Sequence, residues 1–166
     1  MSHTNSFLSI SDAQTPGGYR AATFDEILDG AKQAMSHRFR KGTLLDSPAA
    51  TRNFLMVTLG AREYESFCCI FVDNRHRVID FVELFRGTID GASVHPREVV
   101  KEALKRNAAG VIFAHPHPSG VAEPSQADAL ITRRLVEALA LVEIRVLDHL
   151  VIAGSNVVSM AESGLL

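Results

Sequence analysis

Two histidines stand two residues apart where an apolar run ends, in Ala114-His115-Pro116-His117-Pro118, and an aspartate follows in Ser125-Gln126-Ala127-Asp128. Side chains two apart on an extended chain project to the same side, so His115 and His117 can converge on one ion. Pro116 and Pro118 favour extension, because each fixes its own φ and turns the residue before it away from the helical region. Asp128 falls inside the next helix, and its carboxylate can reach back towards the loop. Two imidazoles and one carboxylate leave a fourth tetrahedral position open, which suits a catalytic zinc rather than a structural one. Zinc held this way lowers the pKa of a bound water to about 7, enough to make a nucleophile at neutral pH. The spacing therefore predicts one zinc ion with His115, His117 and Asp128 as ligands.

Each piece also has a plainer reading. Ser125 to Asp128 resembles a helix start, with Ser125 as N-cap and Asp128 near the positive end of the dipole. His-Pro-His-Pro alone can be a stiff turn with solvated rings. What favours the metal reading is the joint order: strand, His-x-His, Pro, Gly, Pro-Ser-x-x-Asp, helix. On that reading Ser125 does two jobs, capping the helix and hydrogen-bonding the reacting oxygen.

The elements that must position these groups follow from periodicity. Residues 1–22 are polar and broken by Pro16-Gly17-Gly18, and are expected to form a flexible tail. Residues 23–46 are expected to be a helical segment, with Phe24, Ile27, Leu28, Ala31, Ala34 and Met35 at helical spacing. A second helix starts at Ser47-Pro48 and runs to about Leu59. Ser66 to Val72 reads as a buried strand, Asp73 to His76 as a turn and Val78 to Phe85 as a second strand, together a hairpin. Gly87 to Ser93 is expected to be a loop. Pro96 opens a helix ending near Asn107, Ala109 to Ala114 is an apolar strand, and a long helix occupies Ser125 to about Leu141. Ile144 to Ile152 and Val157 to Met160 supply two more strands. Hairpin and crossover connections together predict an α/β fold, a mixed sheet with helices packed on it.

Composition narrows the function class. The chain has 166 residues, 46% hydrophobic and 22% charged, which excludes disorder and a disulfide scaffold. A net charge of −2 gives no general reason to bind nucleic acid or anionic membranes. The basic run His37 to Lys41 reads as a solvated helix end. Cys68 and Cys69 are adjacent in an apolar strand, so they face opposite sides and read as buried reduced thiols. Neither a signal peptide nor an apolar run of about 20 residues is visible, so a cytoplasmic protein without a membrane partner is expected.

With its motifs in order, the sequence resembles the RadC-like branch of the JAB/MPN (JAMM motif) zinc metalloprotease superfamily. The resemblance rests on His115-Pro116-His117-Pro118 and Ser125-Gln126-Ala127-Asp128. It extends to Phe85-Arg86-Gly87-Thr88, His95-Pro96-Arg97-Glu98-Val99, Asn107-Ala108-Ala109, Glu123-Pro124-Ser125 and Leu147-Asp148-His149-Leu150. It covers roughly Ser47 to the C-terminus and implies a single MPN-like (cytidine-deaminase-like) domain over 47–166, with one zinc ion and an upstream glutamate as general base. Glu65 matches the family's Glu-x-Phe pattern best; Glu63 would share its face in an extended chain, and Glu83 is a third candidate. Two departures stand out. Pro116 replaces the family's usual Asn, and only a fragment of the N-terminal helix-hairpin-helix-like region of long RadC proteins is available. Asp148 and His149, on opposite faces of a strand, cannot both bind one ion and are read as structural or as support for the ligands. His95 is expected to cap or flank a helix, while His3, His37 and His76 have no motif around them.

The resulting expectation is a zinc-dependent hydrolase of metallopeptidase or isopeptidase type. Its substrate would be a peptide, isopeptide or amide chosen by the loops Ile89 to Val94 and Ser119 to Glu123. The alternatives are a DNA-repair-associated module that binds or processes nucleic acid, and a non-catalytic metal-binding scaffold.

Overall fold

The computed structural model describes residues 9–11, 14, 16–87 and 93–166. His3, and most of the loop expected at Gly87 to Ser93, lie outside the described residues. Within them, part of the expected tail is paired. Strands β1 (Ser9–Ser11) and β2 (Tyr19–Ala21) form a three-pair antiparallel ladder. The chain reverses where Gly17 and Gly18 take φ of 96° and 74°, angles that suit glycine.

Helix α1 (Phe24–Arg38) starts at a capping box made by Thr23 and Glu26. Helix α2 (Pro48–Leu59) starts with Ser47 accepting from the Ala50 N–H and with proline in the first turn. It stops at Gly60, which lies so close to Gly154 that an added Cβ would sit 2.4 Å from the Gly154 carbonyl oxygen. Strands β3 (Ser66–Val72) and β4 (Val78–Arg86) are the expected hairpin. Helix α3 (Pro96–Lys105) gives way at Asn107, whose φ of 51° is left-handed. Then come β5 (Gly110–Pro116), α4 (Gln126–Ala140), β6 (Arg145–Ala153) and β7 (Asn156–Ser159).

The five-stranded sheet has the order β4-β3-β5-β6-β7, antiparallel except for the parallel pair β5–β6. It is therefore mixed, with helices on both faces. On one face Cys68, Ile70, Ile112, Leu150 and Ile152 pack against Phe54, Leu55 and Leu59 of α2. On the other, Phe67, Cys69, Phe71, Val111 and Phe113 pack against α3 and against Leu135 and Leu139 of α4. Cys68 and Cys69 thus fall into different halves of the core, both as free thiols. Leucines 55, 59, 135 and 139 are fully buried, and each contributes about 1.5–3 kcal/mol by leaving water. Among the described residues no helix is long and apolar enough to cross a membrane.

Candidate metal centre

The face carrying Phe113 also carries His115, two residues on along β5, and the start of α4 lies against this end of the strand. His115 Nε2 is 2.9 Å from His117 Nε2 and 3.2 Å from Asp128 Oδ1, and His117 Nε2 is 3.5 Å from Asp128 Oδ2. These three side chains each offer a donor atom, all within 4.8 Å of one another. Ligand atoms about 2.0–2.1 Å from a tetrahedral centre stand about 3.3 Å apart, close to the 2.9 and 3.2 Å that separate His115 Nε2 from its two neighbours, so the cluster could hold a metal ion.

The hydrogen bonding supports that fit. His117 Nδ1 lies 2.7 Å from the Val121 carbonyl oxygen. A carbonyl only accepts, so Nδ1 carries a hydrogen, and in the neutral ring Nε2 then offers its lone pair to the triangle. Burial by itself would raise the Asp128 carboxyl, but the hydrogen bonds that His115 and His117 give it when their rings are protonated on Nε2 outweigh burial and hold the group far below the usual carboxylate range. The same contact with Asp128 raises His117 above the ordinary imidazole value, against desolvation, and the nearby charge of Glu65 adds to it. An ionised carboxylate drawing in two imidazoles is a donor set for a cation.

Asp128 is held by the helix start itself. Ser125 Oγ accepts from the Asp128 N–H at 3.1 Å, and Asp128 Oδ2 accepts from the Ser125 N–H at 2.7 Å. The Ser125 hydroxyl donates to the same Oδ2 at 2.6 Å. The capping reading and the ligand reading of this segment thus describe one arrangement. Ser125 also lines a cleft of about 390 Å³ whose wall includes His115, His117, Asp128, Glu65 and Phe67.

The three candidate glutamates part company. Glu65 lines the cleft, and its carbonyl accepts from the Gly87 N–H at 2.9 Å. Glu63 is exposed, because the chain bends at Glu63 and Tyr64 before β3 begins and the extended-chain premise fails there. Glu83 is paired with Arg62, away from the cleft.

Comparison with known protein families matches residues 45–165 to the RadC-like JAB domain. The chain belongs to that family. The RadC-like chain is 56% identical over 159 residues to a UPF0758 protein of Thioalkalivibrio sulfidiphilus, covering 96% of this chain and 71% of the relative. A UPF0758 protein of Marinobacter nauticus is 58% identical over 150 residues, which is 90% of this chain and 67% of that one. One of Nitrosococcus oceani is 57% identical over 139 residues, 84% of this chain and 62% of that one. The RadC-like chain thus spans about two thirds of these relatives' length. Its sheet flanked by helices is consistent with an MPN-like fold.

Pro116 costs the RadC-like sheet no hydrogen bond with β6. The His117 N–H donates to Ile152 O at 2.7 Å, so by alternation the Pro116 nitrogen faces the β3 side. There the ladder has already ended, at Cys68 with Ala114.

Other histidines take quieter places. His95 is the N-cap residue of α3 without a side-chain cap bond, its ring 6.0 Å from that of Phe85. His37 and His76 are exposed. Asp148 points to the sheet face opposite the site and accepts from Ser159 Oγ at 2.7 Å and the Ala161 N–H at 3.1 Å. His149 points the other way, with Nε2 2.8 Å from His115 Nδ1. Burial pushes it well below the ordinary imidazole range. Thr132, which the motifs did not single out, contacts His149; its one signal in the sequence is its position four residues after Asp128, on the same helix face.

Proposed function

We propose that this RadC-like domain is a zinc-dependent hydrolase of metallopeptidase or isopeptidase type, acting on an amide bond in the cytoplasm. The observation that carries the reading is the triangle of His115, His117 and Asp128 opening onto a cleft that Glu65 also lines. A zinc ion held by these three would supply a water of lowered pKa and polarise the substrate carbonyl. Glu65 would take the proton from the attacking water and pass it to the leaving nitrogen. Ser125 would turn its hydroxyl from Asp128 Oδ2 to the oxygen that gains charge, and so act as a hydrogen-bond donor in the transition state. Phe67 and Ile131, which also line the cleft, offer apolar surface for the substrate chain. The nucleic-acid alternative has less behind it. Among the described residues of the cleft wall there is no lysine or arginine to meet a phosphate backbone.

The test is metal analysis of the purified chain, followed by a panel of peptide, isopeptide and small amide substrates. Glu65→Gln should keep its zinc and lose about 10²–10⁴ in turnover. Turnover undiminished in Glu65→Gln would remove the general base from the account. A chain that takes up no zinc would end it.

A further inference from the structure

Behind His115, on the side away from the cleft, a polar path continues into the core and the proposed hydrolysis leaves it unused. Thr132 Oγ1 donates to the Asp128 carbonyl oxygen at 2.6 Å and lies 2.6 Å from His149 Nδ1. His149 Nε2 in turn lies 2.8 Å from His115 Nδ1. Thr132 and His149 are both fully buried. The rings of Phe67 and Phe113 stand edge-on to His149 at 5.4 and 5.7 Å and wall it from solvent.

Counting hydrogens along this path settles its direction. A hydroxyl has one hydrogen to give. With that hydrogen on the Asp128 carbonyl, Thr132 can only accept from His149, so His149 carries its hydrogen on Nδ1. The Nε2 of a neutral His149 is then a lone pair, which can only accept from His115 Nδ1. The hydrogen of His115 is thereby placed on Nδ1, and its bare Nε2 faces His117 and Asp128. Run in reverse, with Thr132 donating to His149, the chain would place a hydrogen on His115 Nε2 and block it as a ligand.

Three elements meet to build the path. Asp128 and Thr132 are four apart on α4 and so share a helix face. The register of β5 with β6 sets His149 beside Phe113. That register includes a shift between Val111 and Ile112, where Ile112 pairs with Asp148 instead of Leu147, and the shift turns His149 towards the site.

We propose that Thr132 and His149 are positioning residues for the ligand His115, a buried relay anchored on the backbone of Asp128 that fixes the His115 Nε2 lone pair towards the ion. The proposal rests on the metal reading above. The relay ties two ligands from different elements, one on β5 and one on α4, to a common internal reference. Partners of this kind behind a ligand typically change metal affinity 10- to 100-fold.

The experiment measures zinc affinity of the full chain by competition with a chromophoric chelator. It compares the unaltered protein with Thr132→Val, Thr132→Ser, His149→Phe and His149→Gln, each with a thermal melt. Thr132→Val and His149→Phe should bind zinc about 10- to 100-fold more weakly. Thr132→Ser keeps the hydroxyl and His149→Gln keeps an acceptor near the Nε2 position, so both should recover most of the loss. Long-range ¹H–¹⁵N spectra of the zinc-loaded unaltered protein should place the hydrogens of both His115 and His149 on Nδ1, a readout that needs no variant to fold. Equal zinc affinity in Thr132→Val and the unaltered chain, or a hydrogen on Nε2 of His149, overturns the relay and leaves the metal site standing. Failure of the unaltered chain to bind zinc overturns both.

Discussion

Two helices of this chain begin with the same device and come to different ends. At α1, Glu26 Oε2 accepts from the Thr23 N–H and hydroxyl at 2.8 and 3.0 Å. At α4, Asp128 Oδ2 accepts from the Ser125 N–H and hydroxyl at 2.7 and 2.6 Å. Locally the two boxes are nearly interchangeable. They differ in what else meets the carboxylate. Glu26 meets Arg20, a permanent cation, at both oxygens, 2.8 Å at Oε2 and 2.6 Å at Oε1, on an exposed surface. Asp128 Oδ1 meets His115 Nε2 at 3.2 Å, on a side chain only 17% exposed. Arginine completes the charge balance and closes the box, whereas two imidazoles can give up their hydrogens and admit a cation. A capping pattern therefore becomes a candidate site through what the strand brings opposite it.

The sharpest way to break this comparison is to remove one charge from each box. Asp128→Asn should weaken zinc binding by more than about 100-fold, beyond the range for groups behind a ligand. The helix start should survive, because Ser125 Oγ can still accept from the residue 128 N–H. Glu26→Gln should leave zinc affinity unchanged in the same chelator competition; any comparable loss there would show that the two boxes are not distinct.

Removing the hydroxyls is the next test. Thr23→Ala and Ser125→Ala should each cost about 1 kcal/mol in denaturant unfolding, as lost N-caps do. Ser125→Ala alone should also lower turnover, by about 10²-fold if its hydroxyl donates to the developing oxyanion. Equal activity in the two variants would confine Ser125 to capping.

Acid sharpens the contrast with the smallest effect. The hydrogen bond from Arg20, helped by Thr23, lowers the Glu26 carboxyl to about 2. A carboxyl lowered on folding stabilises the fold above its unfolded value, and that contribution is lost as pH falls through the folded value. The stability gap between the unaltered chain and Glu26→Gln should therefore be present at neutral pH and close between about 4.5 and about 2. A gap independent of pH in urea titrations would contradict the role of this charge. Because Glu26 is exposed, the effect will be modest.

Much of the candidate site could be read from the chain because His115, His117, Ser125 and Asp128 lie within one strand–loop–helix passage, where local geometry brings them together. Prolines at 48 and 96 marked two helix starts, and the apolar runs marked the central strands. Other features depend on contacts between distant segments. Glu65 separates from Glu63 only through a bend that alternation does not foresee. Alternation also placed Asp148 and His149 on opposite faces without saying which one meets the site; the β5–β6 register shift decides that. Thr132 meets His149 only because a helix crosses a strand 17 residues away in sequence. The β1–β2 ladder, three pairs long, offers too short a pattern to be told from a polar tail.

X-ray absorption at the zinc edge, on the purified chain with its metal content measured in parallel, tests the central claim most directly. One zinc per chain is expected, with nitrogen and oxygen neighbours at about 2.0–2.1 Å, two of them imidazoles, and no sulfur. A chain free of zinc, or an ion whose spectrum is unaltered when His115 and His117 are replaced, would contradict it.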